Sequence, residues 1–187
     1  MFVGQFTTRV LGLCTVLVMS MIGLKAEEPT SVCGVLANLD RYRGKLVTVK
    51  GILGGGDRHG WYIQDNGRGQ PCSTIGQHGQ KWPPAIAVIQ FAIGADIEDG
   101  PVNFESDSAE IDGRLSEAKR LVLGHDGLMI SVTAVGELRS RKGITITRSK
   151  DGWYVGDGYG QAGQYPALLV LKTVKDARVM KIGRPNH

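Results

Sequence analysis

Cysteine is scarce in this 187-residue chain: Cys14, Cys33 and Cys72 are all there is, and no two form a Cys-x-x-Cys spacing. That spacing would be needed to argue for a metal or redox pair, so neither is expected. Histidine is equally thin. His59, His78 and His125, with His187 near the end, stand alone, none of them two or four residues from another His or Cys. They read as solvent-facing loop residues, and no metal and no cofactor is expected. There is no Gly-x-Ser-x-Gly elbow, and no Gly-Lys-Ser/Thr follows the glycine runs Gly54-Gly55-Gly56 and Gly156 to Gly163. Without an activated nucleophile or a phosphate loop, the expectation is a protein that is not an enzyme. The acidic run Asp96-Ile97-Glu98-Asp99-Gly100 misses the calcium-loop register, because Pro101 stands where the turning glycine should be.

Charge of either sign is also in short supply at the start. Arg9 alone precedes the apolar run from Val10 to Leu24, which is short for a bilayer span, and Ala26 stands before Glu27-Glu28. Residues 1–26 therefore read as a secretory signal peptide cleaved after Ala26, with an uncleaved anchor as the alternative. The expected address is secreted or periplasmic, with no membrane span after cleavage. Cleavage removes Arg9 and Lys25 and no acid, so the net charge falls from +4 to +2. So mild a balance does not by itself point to nucleic acid. It leaves Cys33 and Cys72, and in an oxidising compartment an even pair reads most simply as one disulfide, two buried free thiols being the other reading. Closing a loop of about 40 residues would stabilise the fold by roughly 3–4 kcal/mol.

What the chain does have is glycine, 27 residues, and β-branched alternation. Lys45 to Leu53 places Val47, Val49 and Leu53 on one face; Trp61 and Ile63 alternate with Tyr62 and Gln64; Ala85 to Phe91 is apolar on both faces. Leu128 to Arg139 is the clearest strand, and the last is Ala167 to Val174, with an extension to Val179 as the alternative. Shorter strands are expected at Ile144 to Thr147 and Trp153 to Val155. A helix is expected from Ser31, carrying Val32, Val35, Leu36 and Leu39 on one face and stopped by Gly44, and another within Ser106 to Leu123.

Strand, strand, strand, helix, strand, strand, with a helix in front, is the order of an OB-fold. The expectation is a mainly β protein: a five-stranded OB-like Greek-key barrel over residues 27–182, with an N-terminal helix, a helix between the third and fourth strands, and a disordered tail at 183–187. The residues Val32-Cys33-x-Val35-Leu36, Tyr42-x-Gly44-Lys45-x-Val47-Thr48-Val49, His59-Gly60-x-Tyr62, Cys72 and Gly158-Tyr159-Gly160-x-x-Gly163-x-Tyr165-Pro166-Ala167-x-Leu169-Val170 resemble a group of small exported bacterial proteins of unknown function with an OB-like domain. That resemblance implies a fold and a compartment and supplies no functional residue.

Function is sought where aromatic and basic residues meet at strand ends. Arg139, Arg141, Lys142, Arg148 and Lys150 fall in a stretch without acids, followed by Trp153, Tyr154, Tyr159 and Tyr165. In an OB-fold the loop joining the last strands commonly lines a ligand groove, where basic groups hold anions and rings stack. Trp61, Tyr62, Arg139, Arg141 and Tyr159 are the expected ligand-binding residues. The ligand is an unidentified anionic envelope polymer or sugar, nucleic acid being disfavoured by the compartment. The alternative is an accessory or structural component that binds a protein partner of an envelope complex through a sheet edge.

Overall fold

A computed structural model describes residues 28–56, 60–65, 82–90, 96–97, 100–102, 104–122 and 128–181. The expected signal peptide, the tail, Cys72 and all four histidines lie outside them.

The chain enters along β1 (Thr30–Ser31), a two-residue parallel strand beside β2 (Leu46–Gly56), and turns at once into α1 (Val32–Leu36). Ser31 caps that helix, its hydroxyl accepting from the Gly34 N–H at 3.1 Å. One continuous helix was the expectation, but Asn38 interrupts it, with φ −132 and ψ 38, and α2 (Leu39–Tyr42) follows as a separate turn. Val32, Val35, Leu36, Leu39 and Tyr42 are nonetheless all buried, so the apolar stripe is kept across the break. Gly44 then takes φ +70 and delivers the chain into β2.

The barrel strands are β2 (Leu46–Gly56), β3 (Gly60–Gln64), β4 (Ala85–Gln90), β7 (Leu128–Arg139) and β10 (Leu168–Lys181). Between β4 and β7 come the small hairpin β5 (Asp96–Ile97) and β6 (Gly100–Pro101), then α3 (Ser108–Val122). Between β7 and β10 come the hairpin β8 (Ile146–Arg148) and β9 (Tyr154–Gly156), then a single 3₁₀ turn at Gln161–Gly163.

Pairing runs β2-β3-β4-β10-β7, and β7 pairs back onto β2, so the wall closes into a five-stranded barrel. All pairs are antiparallel except β4 with β10. This is the Greek-key order of an OB-like barrel, as the sequence led us to expect. β10 takes the longer of the two expected extents and runs past Val179 to Lys181. Two register shifts, between Leu171 and Thr173 and between Val174 and Asp176, bend it enough to stay paired with β7 as far as Lys181.

The interior comes from the expected alternation. Ile130, Val132, Ala134 and Leu138 of β7 are buried, with Val47 and Val49 of β2 and Ile63 and Ile86 beside them. α3 closes one end through Ile111, Leu115 and Ala118. Its N-terminal half and the residues just before it are tied to β10 by three polar contacts. Thr173 Oγ1 donates to Glu110 Oε2 at 2.5 Å, the Ser106 hydroxyl donates to the Leu171 carbonyl, and Arg114 Nη1 donates to the Lys175 carbonyl at 2.8 Å. The hydroxyl of Thr173 and the guanidinium of Arg114 hold the Glu110 carboxyl below its usual range.

Candidate functional site

The connection from Ser140 to Ala167 leaves the barrel wall between β7 and β10 and is described without a break. It is anchored rather than loose. Ile144 and Ile146 are buried, and the Thr145 N–H donates to Asp157 Oδ1 at 2.6 Å. At the hairpin end, Ser149 Oγ accepts from the Trp153 N–H at 3.1 Å and the Ser149 N–H donates to the Trp153 carbonyl at 2.7 Å. Both backbone groups of Trp153 are thus held, while its ring is 71 % exposed. Arg148 lies over the Tyr154 ring at 5.9 Å and donates to the Gly152 carbonyl.

Past the hairpin, the chain folds back onto the outside of the barrel. Tyr159 and Tyr165 face each other across an antiparallel bridge, and both rings are buried. Tyr165 stacks at a tilt on Tyr62 of β3, centroids 5.4 Å apart. The Tyr62 ring reaches this position by lying flat across Gly54 of β2. A Cβ at Gly54 would come within 2.5 Å of Tyr62 Cε2, so any larger residue there would push the ring out of this position. The Arg141 guanidinium sits 4.9 Å above Tyr159. Tyr62, Tyr165, Tyr159 and Arg141 therefore form one continuous band on the outer wall. Burial, and then the nearby Tyr62 phenol, push the Tyr165 hydroxyl up to about 12.

Three of the five expected ligand-binding residues, Tyr62, Arg141 and Tyr159, belong to this band. The other two sit elsewhere. Trp61 alternates with Tyr62 and so points to the opposite side of β3, where the Lys119 ammonium of α3 lies 3.9 Å from its ring centroid. Arg139 is taken up in an ion pair, its Nε 2.6 Å from Glu137 Oε1, with the two side chains 11 % and 16 % exposed. Its Nη2 donates to the Pro101 carbonyl at 2.9 Å, clamping the β5–β6 hairpin against the end of β7.

Sequence reasoning passed over Lys119 and did not assign Tyr165 a role. Tyr165 was legible as part of the aromatic series after the basic stretch. Lys119 carried no signal, because only the packing of α3 on the barrel brings it to Trp61. Cys33 is disulfide-bonded, and its expected partner Cys72 lies outside the described residues. The Cys33 N–H donates to Asp65 Oδ2 at 3.1 Å, which fixes the start of α1 against the end of β3. Among the described residues no three His, Cys, Asp or Glu side chains gather as metal ligands, and no helix is long and apolar enough to cross a membrane.

No protein family, curated protein or solved structure matches the chain.

Proposed function

We propose that this protein is a non-enzymatic exported binding module whose outer barrel face and β7–β10 connection take an anionic envelope polymer or a sugar. One observation carries the reading. Arg141 on Tyr159 and Arg148 on Tyr154 are two guanidinium groups seated on aromatic rings within a single connection, beside an indole exposed and held by its backbone. A guanidinium stacked on a ring is held by its face and meets carboxylate, sulfate or phosphate through its edge, and here the Asp157 and Gly152 carbonyls each accept from one of the two groups and fix how they lie. The buried tyrosines act as the support, and the exposed ring of Trp153 supplies a flat surface for stacking.

The test is binding of an acidic polysaccharide such as polygalacturonate at low and at high salt. Exposed ion pairs contribute roughly 0.2–1 kcal/mol each, so changing Arg141 and Arg148 together to Ala should weaken binding about three- to tenfold at low salt. The difference should shrink at high salt, where exposed charges are screened. Equal binding by wild type and variant at both salts overturns the polyanion reading. Trp153→Ala separates a sugar-stacking role from charge, since it should weaken binding at both salts alike.

A second reading, a protein-interaction component of an envelope complex, draws on β10. Pairing of β4 with β10 ends at Leu171, so among the described residues the stretch from Asp176 to Lys181 is paired on its β7 side only. An edge of that kind can accept an added strand. A photo-crosslinker at Arg178, which is exposed, should capture one defined protein in intact cells if this edge is used.

A further inference from the structure

Between α3 and the barrel lies a cavity of about 60 Å³, separate from the tyrosine band and sharing no residue with it. Ile63, Val88, Ile111, Leu115, Ala134 and Val174 form its walls. The room exists because β7 presents small residues to the interior there. Ala134, fully buried, is the smallest side chain in the lining, and Gly136 follows it on the same face of β7.

The walls are apolar and the rim is not. Gln90, Asp112 and Lys119 stand at the mouth with the Trp61 ring. Lys119 is half-buried and lies over the Trp61 ring, with no ion pair among the described residues, whereas Asp112 is exposed to solvent. The two are seven positions apart on α3, about 10 Å along the helix. The mouth therefore has a partly desolvated cationic end and a hydrated anionic end. A water inside needs two to four polar partners, which these walls do not offer.

We propose that this cavity is a binding site for a short-chain aliphatic anion, a carboxylate whose tail lies in the chamber and whose charge rests on Lys119. The size follows from the volume. On the scale by which an apolar cavity of about 150 Å³ holds one benzene, the chamber takes about two or three carbons of a tail, which describes butyrate rather than a fatty acid. The sign of the charge follows from burial. An ion pair formed at the half-buried Lys119 is screened less than one at the exposed Asp112, so the anion is favoured over the cation of equal length. A chamber that accepts a tail while a charged group sits at its rim is the usual form of a small-molecule site.

The experiment follows the Trp61 indole resonance of the mature protein by NMR during titration with butyrate, butylammonium, acetate and octanoate. Butyrate should shift it saturably with a Kd of order millimolar, about tenfold tighter than butylammonium or acetate. Octanoate should bind no more tightly than butyrate, because its further carbons stay in water. Lys119→Glu is a rim substitution that leaves the core intact, and it should reverse the preference so that butylammonium binds and butyrate does not. Ala134→Val, checked for a retained melting transition, should abolish binding of both. Absence of a saturable shift with butyrate, equal affinity for butyrate and butylammonium, or butyrate binding that survives Lys119→Glu would each overturn the proposal. None of these results bears on the polymer face, which is tested with other residues and another ligand.

Discussion

Substituting Gly136 by alanine tests how the barrel is closed. Gly136 sits in the middle of β7, paired with Val47 of β2 on one side and Leu171 of β10 on the other. A Cβ built there would overlap the Val170 carbonyl oxygen and lie 2.9 Å from its carbon and 3.1 Å from Leu169 Cγ. The obstacle is backbone, not the far end of a side chain, and Val170 is itself paired with Glu137 in the adjacent rung. Relief must therefore come from moving one strand of the closing pair away from the other. Overpacking of a rigid interior costs about 1–3 kcal/mol, and an obstacle that cannot rotate away places this case near 3 kcal/mol. For a domain of this size that lowers Tm by about 6–12 °C. Urea unfolding followed by circular dichroism should show a lower midpoint with an unchanged slope, because the exposed area does not alter. The control is Gly113→Ala in α3. Nothing lies within 4 Å of the Cβ it would add, and a mid-helix Gly to Ala change should raise stability by about 0.5–1 kcal/mol. A Gly136→Ala cost no larger than that of a surface change, about 0.5 kcal/mol, would refute the close approach of β7 and β10 on which closure rests.

The Arg139–Glu137 pair is mostly buried, so Arg139→Met should cost about 3 kcal/mol by stranding the Glu137 carboxylate, and adding Glu137→Leu should recover most of it, as denaturant melts of the single and double variants will report. Tyr165 keeps its proton up to about 12 when folded but loses it near 10 when unfolded, so its contribution is fully present below pH 10 and is lost as pH rises from 10 to 12. Phenolate absorbance should show the last tyrosine titrating together with unfolding, and Tyr165→Phe should flatten that part of the stability profile. Cys33→Ser removes a disulfide from the helix that leads into the barrel and should lower stability by about 2–5 kcal/mol, measured against wild type in oxidising buffer.

Much of this fold is written locally. Alternation in Leu128–Arg139 and the β-branched run after Leu46 determine strands regardless of what they touch, because a period of two leaves one face apolar. Strand order with one helix between the third and fourth strands was enough to name the barrel class. The stop at Gly44 and the cap at Ser31 were equally visible, since each meets a backbone requirement within a few residues.

Other features were decided only when distant segments met. Arg139 and Arg141 look alike in the sequence, two residues apart on one basic stretch. Arg139 meets Glu137 and the Pro101 carbonyl and becomes a clamp, whereas Arg141 lies beyond the last strand residue and settles on Tyr159. Trp61 and Tyr62 are neighbours in the chain and belong to opposite sides of a wall, one facing α3 and the other the returning connection. By itself the sequence determined periodicity, turns and the chemical kinds of side chain on offer, because those depend on neighbours a few bonds away. Tertiary structure alone decided which cation clamps a distant hairpin and which rests on a ring, because the clamp and the stacked ring depend on groups brought together from 38 and 18 positions apart.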